Sequence, residues 1–181
     1  MSKDALERFI ERTRSSWGPL STELVASCRG HLEELAKAPA TQPWLAALHH
    51  EAPPTRELYR DPEHGFVLLA HTEHAGQYRP PHDHGRGWVV YAVQRGEIAM
   101  GTYARVEAAH GGVRLVKRDE TLLRAGDAKL FLPGDIHDTR CVAGPALEFR
   151  FTERDLKHEE LVERRVARYV ERNGVFTLGS V

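Results

Sequence analysis

Between residues 53 and 152 the chain keeps one rhythm: a short run of apolar and β-branched residues, then a turn carrying Gly or Asp. The runs fall at 66–71, 88–93, 97–106, 113–117, 121–123, 129–132 and 146–152. The breaks carry Gly96, Gly111-Gly112, Gly126-Asp127 and Gly134-Asp135, residues that suit tight turns. Many short strands at this spacing predict an antiparallel sandwich or barrel.

The ends of the chain read differently. Leu6, Phe9 and Ile10 share a helical face until Trp17-Gly18-Pro19 breaks the pattern. Ser21 is placed to cap a second helix carrying Leu24, Val25, Cys28, Leu32 and Leu35, which Pro39 ends. A third short helix is expected over 43–50, so residues 1–52 form a helical layer beside a β-barrel at 53–152. The remainder, 153–181, is expected to be a helix and tail. Leu161, Val162, Val166, Tyr169 and Val170 fall on one stripe, and Asn173-Gly174 stops it. No internal repeat or low-complexity linker interrupts the 181 residues, so one domain is the expectation.

Composition removes several functions. With 25 basic against 26 acidic residues there is no cationic field for phosphates, so no nucleic-acid partner is expected. No apolar run is long enough to span a bilayer, and charges occupy the N-terminal stretch where a signal peptide needs apolar residues. Two distant cysteines, Cys28 and Cys141, do not make a disulfide framework, and a cytoplasmic setting follows. Cys141 reads as a small apolar filler.

The chemistry concentrates in histidine. His82 and His84 stand two apart, and side chains at that spacing on a strand share one face. Such a pair grips a metal when a third ligand arrives from another strand. His137, delivered by the turn at Gly126-Asp127, a strand and Pro133-Gly134, is the candidate. His71 and His74, three apart, face opposite sides and cannot act as a pair; His64 and His110 lie in expected turns. The competing reading is that the three histidines are surface or hydrogen-bonded groups on a β domain.

These two stretches resemble the paired motifs of the cupin superfamily. A glycine, Gly76, precedes His82-x-His84 by six residues; Gly96 closes the first motif, and Pro133-Gly134 precedes the histidine of the second. The likeness covers residues 65 to 152 and implies a mainly β, double-stranded β-helix or jelly-roll barrel holding a metal through His82, His84 and His137. The glutamate that most metal-binding cupins add falls on Val89, beside Trp88, and neither can bind a metal. The implied ligand set is therefore three imidazoles, which suit iron, zinc, nickel or copper.

A three-histidine cupin without the glutamate resembles the thiol dioxygenases, the cysteine dioxygenase type. These use Fe(II) and O2 to convert a thiol to a sulfinate. Thr55-Arg56-Glu57-Leu58 is similar to that family's Thr-Arg-x-Leu, whose arginine takes the substrate carboxylate, with Phe66 also in register. A surface arginine in a polar loop is the alternative for Arg56. The family's Ser-x-His-x-Tyr falls on Glu148-Phe149-Arg150-Phe151-Thr152, so all three of its residues are replaced; Val89 also replaces the cysteine that some members cross-link. Alternation puts Glu148, Arg150 and Thr152 on one face. Glu148 and Arg150 are the catalytic candidates, as a buried pair in which the guanidinium keeps the carboxylate ionised; an exposed salt-bridge face is the alternative. Trp88, sharing parity with His82 and His84, is a candidate pocket wall, or else plain core. The implied partners are a small thiol or other small carboxylate-bearing substrate and O2, for a monomer or homodimer. A non-catalytic binding cupin, or a zinc or nickel isomerase, lyase or hydrolase, stays open.

Overall fold

The computed structural model describes residues 3–107 and 112–179. The expected turn at His110 and Gly111 lies outside the described residues. Three helices come first: α1 (Ala5–Ser16), α2 (Thr22–Ala36) and α3 (Pro43–Glu51). Local chemistry starts each one. Asp4 and Glu7 form a reciprocal capping box, the Ser21 side chain accepts from the Leu24 N–H, and Pro43 opens α3 where its missing N–H costs nothing.

Seven strands follow: β1 (Arg56–Arg60), β2 (Val67–Glu73), β3 (Tyr78–His82), β4 (Val89–Glu107), β5 (Val113–Arg124), β6 (Ala128–Phe131) and β7 (Ile136–Thr152). All pair antiparallel, in the order β1-β2-β7-β4-β5, with β3 also on β7 and β6 also on β4. The fold is mainly β, a curled antiparallel double sheet. Its hinge is in β4 and β7, where several separately expected runs are single long strands. Val89–Val93 pairs with Glu148–Thr152 and Ile98–Tyr103 with Ile136–Cys141, and the register shifts between Val93 and Ile98. Gly96 sits at that bend with φ of 83°, and a Cβ there would lie 2.5 Å from the Ala143 carbonyl oxygen. Only glycine meets both conditions.

Folding the sheet over itself creates two cores. Between the halves lie Val89, Tyr91, Val93, Ile98, Met100, Leu123, Phe131 and Cys141. Outside the β2-β7-β4 half, Leu68, Ala70, Val90, Phe149 and Phe151 pack on the helices through Phe9, Leu32 and Leu48. Alternation along the strands makes both: odd and even residues serve different layers.

The C-terminus corrects the expected long helix. Helix α4 runs only from Leu156 to Leu161, and the chain then forms a hairpin, β8 (Tyr169–Arg172) and β9 (Val175–Leu178), paired to β5 through Arg114 and Thr177. Leu161 and Val162 are exposed, and of the expected stripe only Tyr169 is buried, beside Tyr103, Leu115 and Ile136. Asn173-Gly174, read as a helix stop, is the hairpin turn, with positive φ at both residues. No helix among the described residues is long and apolar enough to cross a membrane.

Candidate metal centre and adjoining cavity

The turn-and-strand arrangement brings the three histidines together. His82 ends β3 and lies opposite His137 of β7, while His84 stands just beyond β3. The loop holding His84 is tied down by Asp83. Its side chain accepts from the Gly85 N–H at 3.1 Å and the Ala167 N–H at 2.8 Å, and its own N–H donates to the Ala167 carbonyl. The three rings each offer a nitrogen, and these lie within 4.8 Å of one another.

The Nε2 atoms of His84 and His137 are 3.2 Å apart, and the Tyr91 hydroxyl is 3.2 Å from the same His84 nitrogen. Two nitrogens bound at about 2.0–2.1 Å to one ion stand roughly 2.9–3.4 Å apart, depending on geometry, so this pair is spaced as two ligands would be. His82 Nδ1–H donates to the Pro80 carbonyl at 2.9 Å, which turns a free Nε2 toward the group. Burial lowers the pKa of all three, with mutual repulsion adding to it at His84 and His137. They are neutral imidazoles with lone pairs to give. Phe131 stacks on His137 at 3.9 Å, and fully buried Val89 lies in the same interior layer. The donor set fits a divalent ion.

Beside this group is a cavity of about 250 Å³ lined by His71, Tyr78, Arg79, Pro80, His82, Tyr91, Thr139, Glu148, Arg150 and Arg168. Phe149 and Phe151 face the helices, so Glu148 and Arg150 face inward. They are not the expected ion pair: no bridge within 4 Å joins them, and Glu148 Oε1 and Arg150 Nε are buried without hydrogen-bond partners among the described residues. Nor is Glu148 held ionised. Burial, then repulsion from Glu73, pushes its carboxyl up to about 8, against the opposing pull of Arg79 and Arg150.

Two expected site residues lie elsewhere. Trp88 is 1% exposed and packs with Trp17 and Phe151 under the helical layer, so it is core and does not line this cavity. Its parity with His84 fails because β3 ends at His82, and the turn through Gly85 resets the alternation before β4 begins. Tyr91, three residues further along and on the opposite face of the strand, holds the wall position. Arg56 pairs in register with Ala70, whose face meets the helices, and its guanidinium bonds Glu51 at the end of α3. It does not line the cavity.

Other wall residues escaped the sequence reading. His71 has no partner in His74, yet the alternation of Phe66, Leu68 and Ala70 toward the helices turns it inward. Arg79 lies in β3, whose prolines masked the strand, and there it binds Glu73 at 2.5 Å. Arg168 sat in the supposed helix; it bridges to Glu160 at 2.6 Å and pairs by backbone with His82.

The site thus belongs to the class of β double-sheet proteins with an imidazole cluster at the edge of a charged interior cavity. No sequence-family model and no curated protein matches the chain. Solved structures that do match include KdgF from a Halomonas species, at 14% identity and a TM-score of 0.44, covering 54% of this chain and 74% of that one. The cupin domain of Schizosaccharomyces pombe Cnp3 matches at 11% identity and 0.43, covering 59% and 68%. A double-stranded β-helix protein of Klebsiella pneumoniae matches at 20% identity and 0.39, covering 53% and 66%. At these levels the function is read from the chain's own residues.

Proposed function

We propose that the protein is a metal-dependent cupin, an iron dioxygenase acting on a small thiol or other small carboxylate-bearing substrate. One observation carries the reading: three neutral, mutually facing histidines stand beside a cavity that His82 lines, and that cavity also holds the Arg150 guanidinium, whose Nε has no hydrogen-bond partner among the described residues. His82, His84 and His137 would hold the metal. Iron, when bound, supplies the redox chemistry that couples O2 to the substrate.

The chain's other residues prepare the site. Arg150 takes the carboxylate-anchoring part that the resemblance assigned to Arg56, with its free Nε–H able to complete a bidentate fork. Tyr91 sits between the metal centre and that anchor. It is opposite Arg150 in register, within reach of His84, and burial pushes its phenol up to about 12, so it acts as a neutral hydrogen-bond donor. Val89 and Phe131 close the inner side against water.

The test is oxygen consumption by protein loaded with ferrous iron under anaerobic conditions. Cysteine, 3-mercaptopropionate, cysteamine and non-thiol carboxylates would be the substrates. Uptake matched by sulfinate establishes a thiol dioxygenase, and uptake with a non-thiol keeps the dioxygenase and discards the thiol. No uptake with metal demonstrably bound rejects the proposal. Substrate loss without oxygen would then indicate a zinc or nickel enzyme, and no loss a binding protein.

A further inference from the structure

The wall of the cavity formed by β2 and β7 carries three buried polar atoms that nothing in the described residues satisfies: Arg150 Nε, Glu148 Oε1 and His71 Nε2. They lie on adjacent strands. Glu148 is opposite His71 across β2 and β7, and Arg150 is one pleat further along β7 on the same face. Glu148 is 3% exposed and His71 6%. Buried polar groups are nearly always paired, so three orphans on one wall mark a place where a ligand belongs.

Their hydrogen-bonding character can be assigned atom by atom. Thr55 has one hydroxyl hydrogen and directs it to the Pro54 carbonyl at 2.8 Å. Its oxygen therefore accepts from His71 Nδ1–H at 2.9 Å, and His71 Nε2 keeps a lone pair. Arg150 Nε is a charged donor. Arg79 is neutralised by Glu73 and Arg168 by Glu160, and among the described residues no acidic group lies within bridging distance of Arg150. Glu148 faces Glu73 and His71 from β2, Arg79 from β3 and Arg150 from its own strand, and burial keeps it protonated. The wall thus presents one positive charge, one O–H donor and one neutral acceptor.

We infer that this wall selects a small monocarboxylate bearing a neutral hydroxyl next to the carboxylate, a 2-hydroxy acid, and discriminates against the matching amino acid. The inference rests on reading the cavity as the substrate site. The carboxylate pairs with Arg150. The hydroxyl donates to His71 Nε2 and accepts from the Glu148 O–H, so all three orphans are satisfied together. An ammonium group has three donors and no acceptor. It would face the Glu148 O–H donor to donor and bring a second positive charge beside Arg150. A divalent ion at the histidines adds to that penalty.

The experiment is calorimetric binding to protein loaded with redox-inert Zn²⁺, using lactate against alanine and 3-mercaptolactate against cysteine, with propionate as reference. Each pair exchanges only a hydroxyl for an ammonium. Lactate is expected to bind about tenfold or more tighter than either alanine or propionate, a difference of one well-made hydrogen bond or one misplaced charge. Arg150→Gln should remove binding of every carboxylate. Glu148→Gln keeps a neutral donor, so lactate binding should survive and lose the decline expected of the wild type as the pH passes about 8. Alanine equal to or tighter than lactate overturns the inference, without needing any variant to fold. The outcomes also separate it from the dioxygenase reading. Lactate preference without oxygen uptake by the iron-loaded protein keeps the inference and discards that reading. Uptake as fast with cysteine as with 3-mercaptolactate keeps the reading and overturns the inference.

Discussion

Strand β7 carries two buried acids ten residues apart, and their surroundings differ completely. Asp138 is saturated: one oxygen accepts the Gly101 N–H at 2.8 Å, the other the hydroxyls of Tyr78 and Tyr103 at 3.0 and 2.6 Å. Those contacts tie β3, β4 and β7 together. Glu148, 3% exposed against 7% for Asp138, forms no hydrogen bond among the described residues and lines a cavity. A buried carboxylate whose partners are all supplied by the fold serves the fold. One left without them is held in readiness for something else, at a cost in stability.

Removing the saturated acid should do the most damage. Asp138→Ala leaves two buried hydroxyls and one backbone N–H without their acceptor, a loss of roughly 3–5 kcal/mol. Urea unfolding would show it as a lowered midpoint at unchanged slope. A change under about 1 kcal/mol would mean that these bonds are not holding the strands together, and the contrast with Glu148 would lose its basis.

Next to Asp138 on the same strand, His137 sharpens the comparison in another direction. His137→Ala should leave a folded barrel but reduce bound metal about 100-fold or more, since two imidazoles hold a divalent ion far less well than three. Metal analysis alongside circular dichroism reads both. Undiminished metal content would remove His137 from the ligand set and with it the three-histidine centre.

Glu148→Gln should stabilise the protein, and by an amount that depends on pH. The native carboxyl titrates at about 8 and the unfolded one near 4.5, so between these values only the native state holds the proton. The unfolded state binding fewer protons makes stability fall as pH rises, by about 1.4 kcal/mol per pH unit at most. His71 works the other way: pushed down to about 3 by burial and by Arg150 and Arg79, it adds stability as pH rises to about 6.5 and nothing beyond. The window from pH 6.5 to 8 therefore isolates Glu148. There the wild type should lose stability relative to the glutamine variant. Parallel curves would mean an ionised Glu148 and a cavity wall without its O–H donor.

How much of this could be seen in the sequence depends on how far each inference had to reach. Alternation within a strand is local, and it correctly turned Phe149 and Phe151 one way and Glu148 and Arg150 the other. The imidazole cluster was legible because turn residues fix where strands begin, and Pro133-Gly134 delivers His137 whatever the rest of the chain does. Counting failed where it crossed a loop. Parity carried from His84 to Trp88 ignores the Gly85 turn, so it points to the wrong face of β4, and the wall residue is Tyr91, three residues further on. The C-terminal stripe failed for a different reason: Tyr169 is anchored by distant Tyr103 and Ile136, a tertiary contact that overrides helical periodicity. Nothing in the sequence distinguishes Asp138 from Glu148 as acids. Their difference lies in which other strands arrive beside them.

The smallest expected effect is also the sharpest comparison of resemblance with geometry. Arg56 is the residue that the resemblance to thiol dioxygenases implies as substrate anchor, whereas Arg150 lines the cavity. Arg56 faces the helical side of the sheet and bonds Glu51, with both side chains more than a third exposed. Solvent screens such a pair, so Arg56→Ala should leave the melting temperature unchanged within error. It should also leave carboxylate binding unchanged, because no substrate in the cavity can reach a guanidinium on the other face of β1. Arg150→Gln should abolish that binding, since no other guanidinium on the cavity wall is free of an acidic partner. Weakened binding in the Arg56 variant, with Arg150→Gln silent, would reverse the assignment and require β1 to turn its face toward the cavity when substrate arrives. Measured side by side, the two arginines decide whether a carboxylate is anchored at Arg56, as the sequence resemblance implies, or at Arg150 on the cavity wall.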